Sequence, residues 1–183
     1  MMFQSNNPAL VIIDCQLAID EFDSSERSNL EAEDEISKLL WQWRDRQWPV
    51  IHVRHSAKSM QSPYHATKAT YAFKEQVMPL PKEVVITKSE NCAFAGTGLE
   101  TVLSDLAISE LVICGVLSHH SVAATVIYGA ALGYRILVPE NCTASFSITT
   151  KQGRQWSSEL VQDIYLTNLD GEYCQVVDKV SIK

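Results

Sequence analysis

The sequence predicts an α/β protein built on a parallel sheet with helices on both faces, and three observations carry that prediction. Short runs apolar at every position, Ala9 to Ile13 and Leu111 to Cys114 above all, have the length and composition of strands buried on both sides. Longer stretches with apolar residues at helical spacing lie between such runs, so strand and helix alternate along the chain and right-handed crossovers follow. Reactive side chains, Asp14, Lys88 and Ser121, stand at or just beyond three of the predicted strands, where the carboxyl ends of a parallel sheet form a ligand crevice.

The first strand, ALVIID, closes on Asp14, which could also be a simple cap or turn residue just past a strand. Gln16, Asp20 and Glu21 follow in a loop. Leu30 to Gln47 carries Leu30, Ile36, Leu39, Leu40 and Trp43 at helical spacing, with acids early and Arg44 and Arg46 late, an order that suits the helix dipole. Pro49 ends that helix and Val50 to Val53 begins a second strand. Periodicity fades from Arg54 to Leu80, and a long irregular segment inside a compact domain marks a lid or an oligomer contact.

Glu83 to Thr87 reads as a third strand with Lys88 at its end. A polar loop from Ser89 to Gly98 leads to a helix from Leu99 to Leu106, capped by Thr97. The central strand, Leu111 to Cys114, runs through Gly115 and the polar cluster Ser118, His119, His120 and Ser121 into an apolar, alanine-rich helix from Val122 to Leu132. Backbone N–H groups at the mouth of such a helix point at whatever sits there and stabilise negative charge. Tyr134 to Val138 is a fifth strand, Pro139 to Ser147 a strand-end loop, Gln152 to Asn168 a helix and Cys174 to Val177 a last strand.

Composition narrows the function. The 183 residues fit one domain, 1–183, with a full core. With 15 basic against 22 acidic residues the formal charge is -7, which opposes nonspecific attraction to nucleic acid or an anionic membrane, and leaves a small-molecule substrate as the expected partner. The five cysteines form no C-x-x-C pair and sit mostly in apolar runs, as free thiols of a reducing compartment do. No apolar run approaches the roughly 20 residues that span a bilayer, and the start lacks a signal-peptide pattern, so the expectation is cytoplasmic. His52, His55 and His65 have Arg54 among them and no acid at ligand spacing; no metal and no cofactor are expected.

Taken together, ALVIIDCQ, the strand-end lysine in VITKSENCAFAGTGLE, and LVICGVLSHHSVAATVIYGAALGYRILVPENC closely resemble the isochorismatase-like hydrolases, the superfamily of cysteine hydrolases and nicotinamidases. The resemblance covers almost the whole chain. It implies a three-layer Rossmann-like fold with a six-stranded parallel sheet, commonly in a homo-oligomer, and a catalytic triad acting on amides. Asp14 matches the family's general base and Lys88 the lysine that supports the nucleophile. The resemblance also implies a non-proline cis peptide between Val116 and Leu117, with an oxyanion hole from the backbone of Leu117 to Ser121, Ser118 and His120 included. Asn91, Phe94, His119 and the 55–75 loop are candidates for the substrate pocket.

This chain departs from the family pattern where it matters most. Ser121 stands in the place of the nucleophilic cysteine, Ser118 replaces a threonine, and Asn141 stands where many members carry an acid. A thiol has a pKa of about 8.5 and is readily held as thiolate, whereas a serine needs a base in the transition state. Four readings stay open: Ser121 as nucleophile with Asp14 as base; isochorismatase-type vinyl ether hydrolysis with no covalent step; a degenerate member that binds a small molecule without turnover; and a serine introduced deliberately for cysteine.

Overall fold

The computed structural model describes residues 7–178 and 180. Among the described residues there are nine strands: β1 (Ala9–Ile13), β2 (Val50–His55), β3 (Val84–Lys88), β4 (Glu110–Val116), β5 (Arg135–Pro139), β6 (Thr143–Ala144), β7 (Ile148–Thr149), β8 (Gln155–Trp156) and β9 (Gln175–Val177). They are joined, among the same residues, by four α-helices: α1 (Ala32–Asp45), α2 (Leu99–Asp105), α3 (Ala123–Ala131) and α4 (Ser158–Leu169). The main sheet has the order β3-β2-β1-β4-β5-β9, and every pairing in it is parallel. These are the six expected strands in a doubly wound order that reverses direction between β1 and β4.

The apolar runs are explained by burial on both faces. Ala9, Val11 and Ile13 of β1 pack with Leu99, Leu103, Val126 and Leu166 from the α2, α3 and α4 layer. Leu10 and Ile12, alternating with them, pack with Ile36, Leu39, Leu40 and Trp43 of α1. Edge strand β3 behaves differently: Val85 and Thr87 face solvent while Ile86 and Lys88 point inward. The period-two alternation of an edge strand is therefore what buries the lysine.

Several expectations about elements need correction. The helix read from Gln152 begins only at Ser158, because Gln155 and Trp156 pair antiparallel with Ile148 and Thr149 in a small hairpin. Ser157 then caps α4, its side chain accepting from the Leu160 N–H. The loop after β5 is not wholly irregular, since β6 takes β5's place beside the upper end of β4, pairing Gly115 with Thr143 and Val116 with Ala144. The last strand starts at Gln175, one residue later than read, and β2 and β4 extend to His55 and Val116. Among the described residues no helix is long and apolar enough to cross a membrane.

Candidate active site

The point where strand order reverses brings the three reactive side chains together. Asp14 follows β1 directly and adopts a left-handed conformation, φ 56°, which an L-residue other than glycine adopts at some cost. Its N–H is held by the Val53 carbonyl at 2.8 Å, so β2 fixes the turn that aims the carboxylate. Lys88 ends β3, two strands away, and its side chain lies fully buried across the sheet edge. Ser121 lies in a wide π-helical turn, Ser118–Val122, that follows β4 and opens into α3. The Val116–Leu117 peptide before that turn is cis, as the resemblance implies.

The geometry is compact. Lys88 Nζ donates to Asp14 Oδ2 at 2.6 Å and to Ser121 Oγ at 3.0 Å. Ser121 Oγ donates to the same Asp14 Oδ2 at 2.6 Å. The hydroxyl proton therefore points at the carboxylate while the ammonium donates to the hydroxyl oxygen. Burial raises the pKa of Asp14 above its ordinary value, against the opposing pull of Lys88 and the hydrogen bonds from Lys88 and Ser121. Asp14 Oδ1 is buried and has no hydrogen-bond partner among the described residues.

These groups open into a cleft of about 170 Å³. Asp14 and Ser121 form its base, Val116 and Leu117 an apolar wall, and His55, Tyr64, Asn91 and His120 the rest of the lining. The His55 and Tyr64 rings meet edge to face, with centroids 5.7 Å apart. Burial lowers the pKa of both histidines, with the Lys88 charge adding to the effect at His55. A larger cleft of about 500 Å³ lies beside α4, where Asn141 is found, but none of the three reactive side chains reaches it. Chemistry, not volume, marks the site.

The structure brings together Asp14, Lys88, Ser121, Val116, Leu117, His120 and Asn91, and reduces the 55–75 loop to His55 and Tyr64 at this cleft. It places other candidates elsewhere. Phe94 is buried in the core, stacked near Tyr128 and Tyr134 with centroids 5.7 and 5.9 Å away, because the apolar face of α3 draws it there. His119 turns the other way, its Nδ1 3.1 Å from Ser145 Oγ and its ring against Tyr165. The Ser118 hydroxyl is fully buried and faces the Ala144 carbonyl and Gln162 Oε1, anchoring the turn to β6 and α4. Within the expected oxyanion hole, the His120 N–H is occupied by the Leu117 carbonyl at 3.2 Å, which narrows the donor set.

Sequence reasoning missed two supporting residues. Gln16, fully buried, donates from Nε2 to the carbonyls of His55 and Tyr71 and accepts the His55 N–H on Oε1 at 2.7 Å, stitching the long loop to the site. Thr125, one turn beyond Ser121, donates to the Ser121 carbonyl at 2.7 Å and accepts the Ala93 N–H at 3.0 Å. Its signal is in the sequence: the one threonine in a helix otherwise made of apolar, small and aromatic residues. Among the described residues no group of three or more His, Cys, Asp or Glu side chains could hold a metal. His52 is instead buried beside Glu83, 2.9 Å away.

Comparison with known proteins places this site in a family. The isochorismatase domain matches residues 8–163. The chain belongs to the isochorismatase family. The uncharacterized isochorismatase family protein YrdC of Bacillus subtilis is 34% identical over 169 residues, covering 92% of this chain and 90% of that protein. A crystal structure of an isochorismatase-family protein from Chromobacterium violaceum superposes with a TM-score of 0.92 at 41% identity, covering 97% of this chain and 92% of that one. Streptothricin hydrolase of Streptomyces noursei is 42% identical over 72 residues, 39% of this chain and 26% of that protein. The chain is thus an isochorismatase-family member with the family's α/β fold and an Asp14, Lys88 and Ser121 network at the switch point.

Proposed function

We propose that this isochorismatase-family protein is a serine-dependent hydrolase of small amides. The observation that carries the reading is the single carboxylate oxygen, Asp14 Oδ2, that accepts both the Ser121 hydroxyl and the Lys88 ammonium. In the reaction Ser121 Oγ attacks the carbonyl carbon as its proton passes to Asp14. Collapse of the tetrahedral intermediate expels the amine, which takes the proton back from Asp14, and leaves an ester on Ser121. Water, deprotonated by Asp14, then attacks the ester carbon; the bond from that carbon to Ser121 Oγ breaks, Oγ takes the proton from Asp14, and the acid leaves. Lys88 keeps its charge throughout. It holds Asp14 in the carboxylate form and stabilises the alkoxide character that develops on Ser121.

A panel of small carboxamides and one vinyl ether, assayed with Asp14→Asn, Lys88→Ala, Ser121→Ala and Ser121→Cys, tests the proposal. Asp14→Asn and Ser121→Ala should each lower kcat/KM on an amide by about 100-fold or more. Unchanged amide turnover by Ser121→Ala would refute the covalent route, and vinyl ether turnover by that variant would transfer the site to chemistry in which water attacks directly.

A further inference from the structure

We propose that the cleft selects small uncharged carboxamides and discriminates against substrates that carry a carboxylate. This rests on the amidase reading for its turnover and on the cleft alone for its charge selection. Among the described residues, no lysine or arginine lines the cleft. The ammonium nearest to it, Lys88, is fully buried beneath the base and commits hydrogen bonds to Asp14 and Ser121, so the pair presents little net charge to a ligand.

Two cations that flank His55 in the chain are engaged elsewhere. Arg54 lies over the Tyr71 ring, 4.7 Å from its centroid, and donates to Thr87 Oγ1. Lys58 pairs with Glu90 at 3.2 Å. His55 and His120, whose pKa values are lowered by burial, are neutral at pH 7. A carboxylate entering this lining loses part of its hydration and gains no counter-charge, which is a net cost. The chain's overall charge of -7 opposes its approach as well.

The lining suits a neutral amide. The unpartnered Asp14 Oδ1 is a buried acceptor in need of an N–H. Asn91, exposed at the rim, makes no hydrogen bond among the described residues and offers both a donor and an acceptor. His55 and Tyr64 supply flat faces for a planar group.

Isophthalamide and 3-carbamoylbenzoate form a matched pair, equal in size and different by one charge; the diamide carries two equivalent amides, so its values are compared per amide. Ammonia release gives kcat/KM, and calorimetry with the Ser121→Ala protein gives affinity without turnover. The diamide should bind at least about tenfold more tightly, a difference of about 1.4 kcal/mol, and be preferred by a similar ratio in kcat/KM. Asn91→Lys, which adds a cation at the rim, should shrink that gap several-fold by improving the anion. Equal or tighter binding of the anion, or no binding of either compound at about 10 mM, would overturn the inference. Tighter binding of the diamide with no ammonia from either would leave the charge selection standing and remove the amidase reading.

Discussion

Lys88→Met isolates the electrostatic core of the site. The ammonium is fully buried, the Asp14 side chain is 7% exposed, and the two are 2.6 Å apart, so the substitution leaves a carboxylate in the interior without its counter-ion. Breaking a buried pair from one side costs about 3 to 5 kcal/mol, a large share of the roughly 5 to 15 kcal/mol that holds a domain together. Asp14→Asn strands the lysine instead and costs a comparable amount. The double variant buries neither charge and should lose much less than the sum, with a coupling of at least about 2 kcal/mol. Urea denaturation of the four proteins at pH 7, with midpoints and slopes compared, measures this directly. Additivity to within about 0.5 kcal/mol would refute the claim that Asp14 and Lys88 act as a charged pair in the folded protein.

The remaining predictions concern backbone, pH and the long loop. Gly115→Ala should unfold the protein or cost at least about 4 kcal/mol, because the new Cβ would lie 2.1 Å from the Ile13 carbonyl oxygen on the neighbouring strand, at a φ of +127°; a melting temperature within a few degrees of the parent would contradict that close approach. Since burial lifts Asp14 above its ordinary 3.8, and the carboxylate is the active form, the acid limb of kcat/KM should lie above that value. Lys88→Met should move the limb higher still, because Lys88 opposes the rise; a limb at or below 3.8 in the parent would contradict the reading. Burial pushes Glu83 up, but hydrogen bonds from Arg44, Leu80 and His52 outweigh it and bring its pKa down to about 2. Glu83 therefore contributes stability that is complete above 4.5 and lost as pH falls towards 2, and Glu83→Gln should cost about 2 kcal/mol at pH 7 in urea melts, after allowance for solvent screening, and flatten that acid dependence.

Much of this architecture was legible because the apolar runs do one thing. Ala9 to Ile13 is apolar at every position since alternate residues feed opposite cores, and a two-faced strand at the centre of a parallel sheet needs both. Strand ends then locate Asp14 and Lys88 without knowledge of the loops. What the sequence does not encode locally departs from the expectation. The hairpin of Ile148–Thr149 with Gln155–Trp156 rests on two short pairings that leave no periodic trace, so the helix expected from Gln152 starts only at Ser158. Phe94 and His119 sit next to site residues in sequence, yet their direction is set by partners more than twenty residues away, Tyr128 and Ser145. Gln16 reads as an ordinary loop residue until β2 and the Tyr71 turn arrive to be held by it.

The central claim, that Ser121 forms a covalent bond with the substrate, is tested most directly by acid-quenched mass spectrometry. The protein would be mixed with p-nitrophenyl acetate, stopped within the first turnover, and mapped by peptide. The account predicts one acetyl group, on the peptide that contains Ser121, abolished by Ser121→Ala and diminished by Asp14→Asn. An acetyl group located on another residue, or amide hydrolysis at the parent's rate by Ser121→Ala, would contradict it.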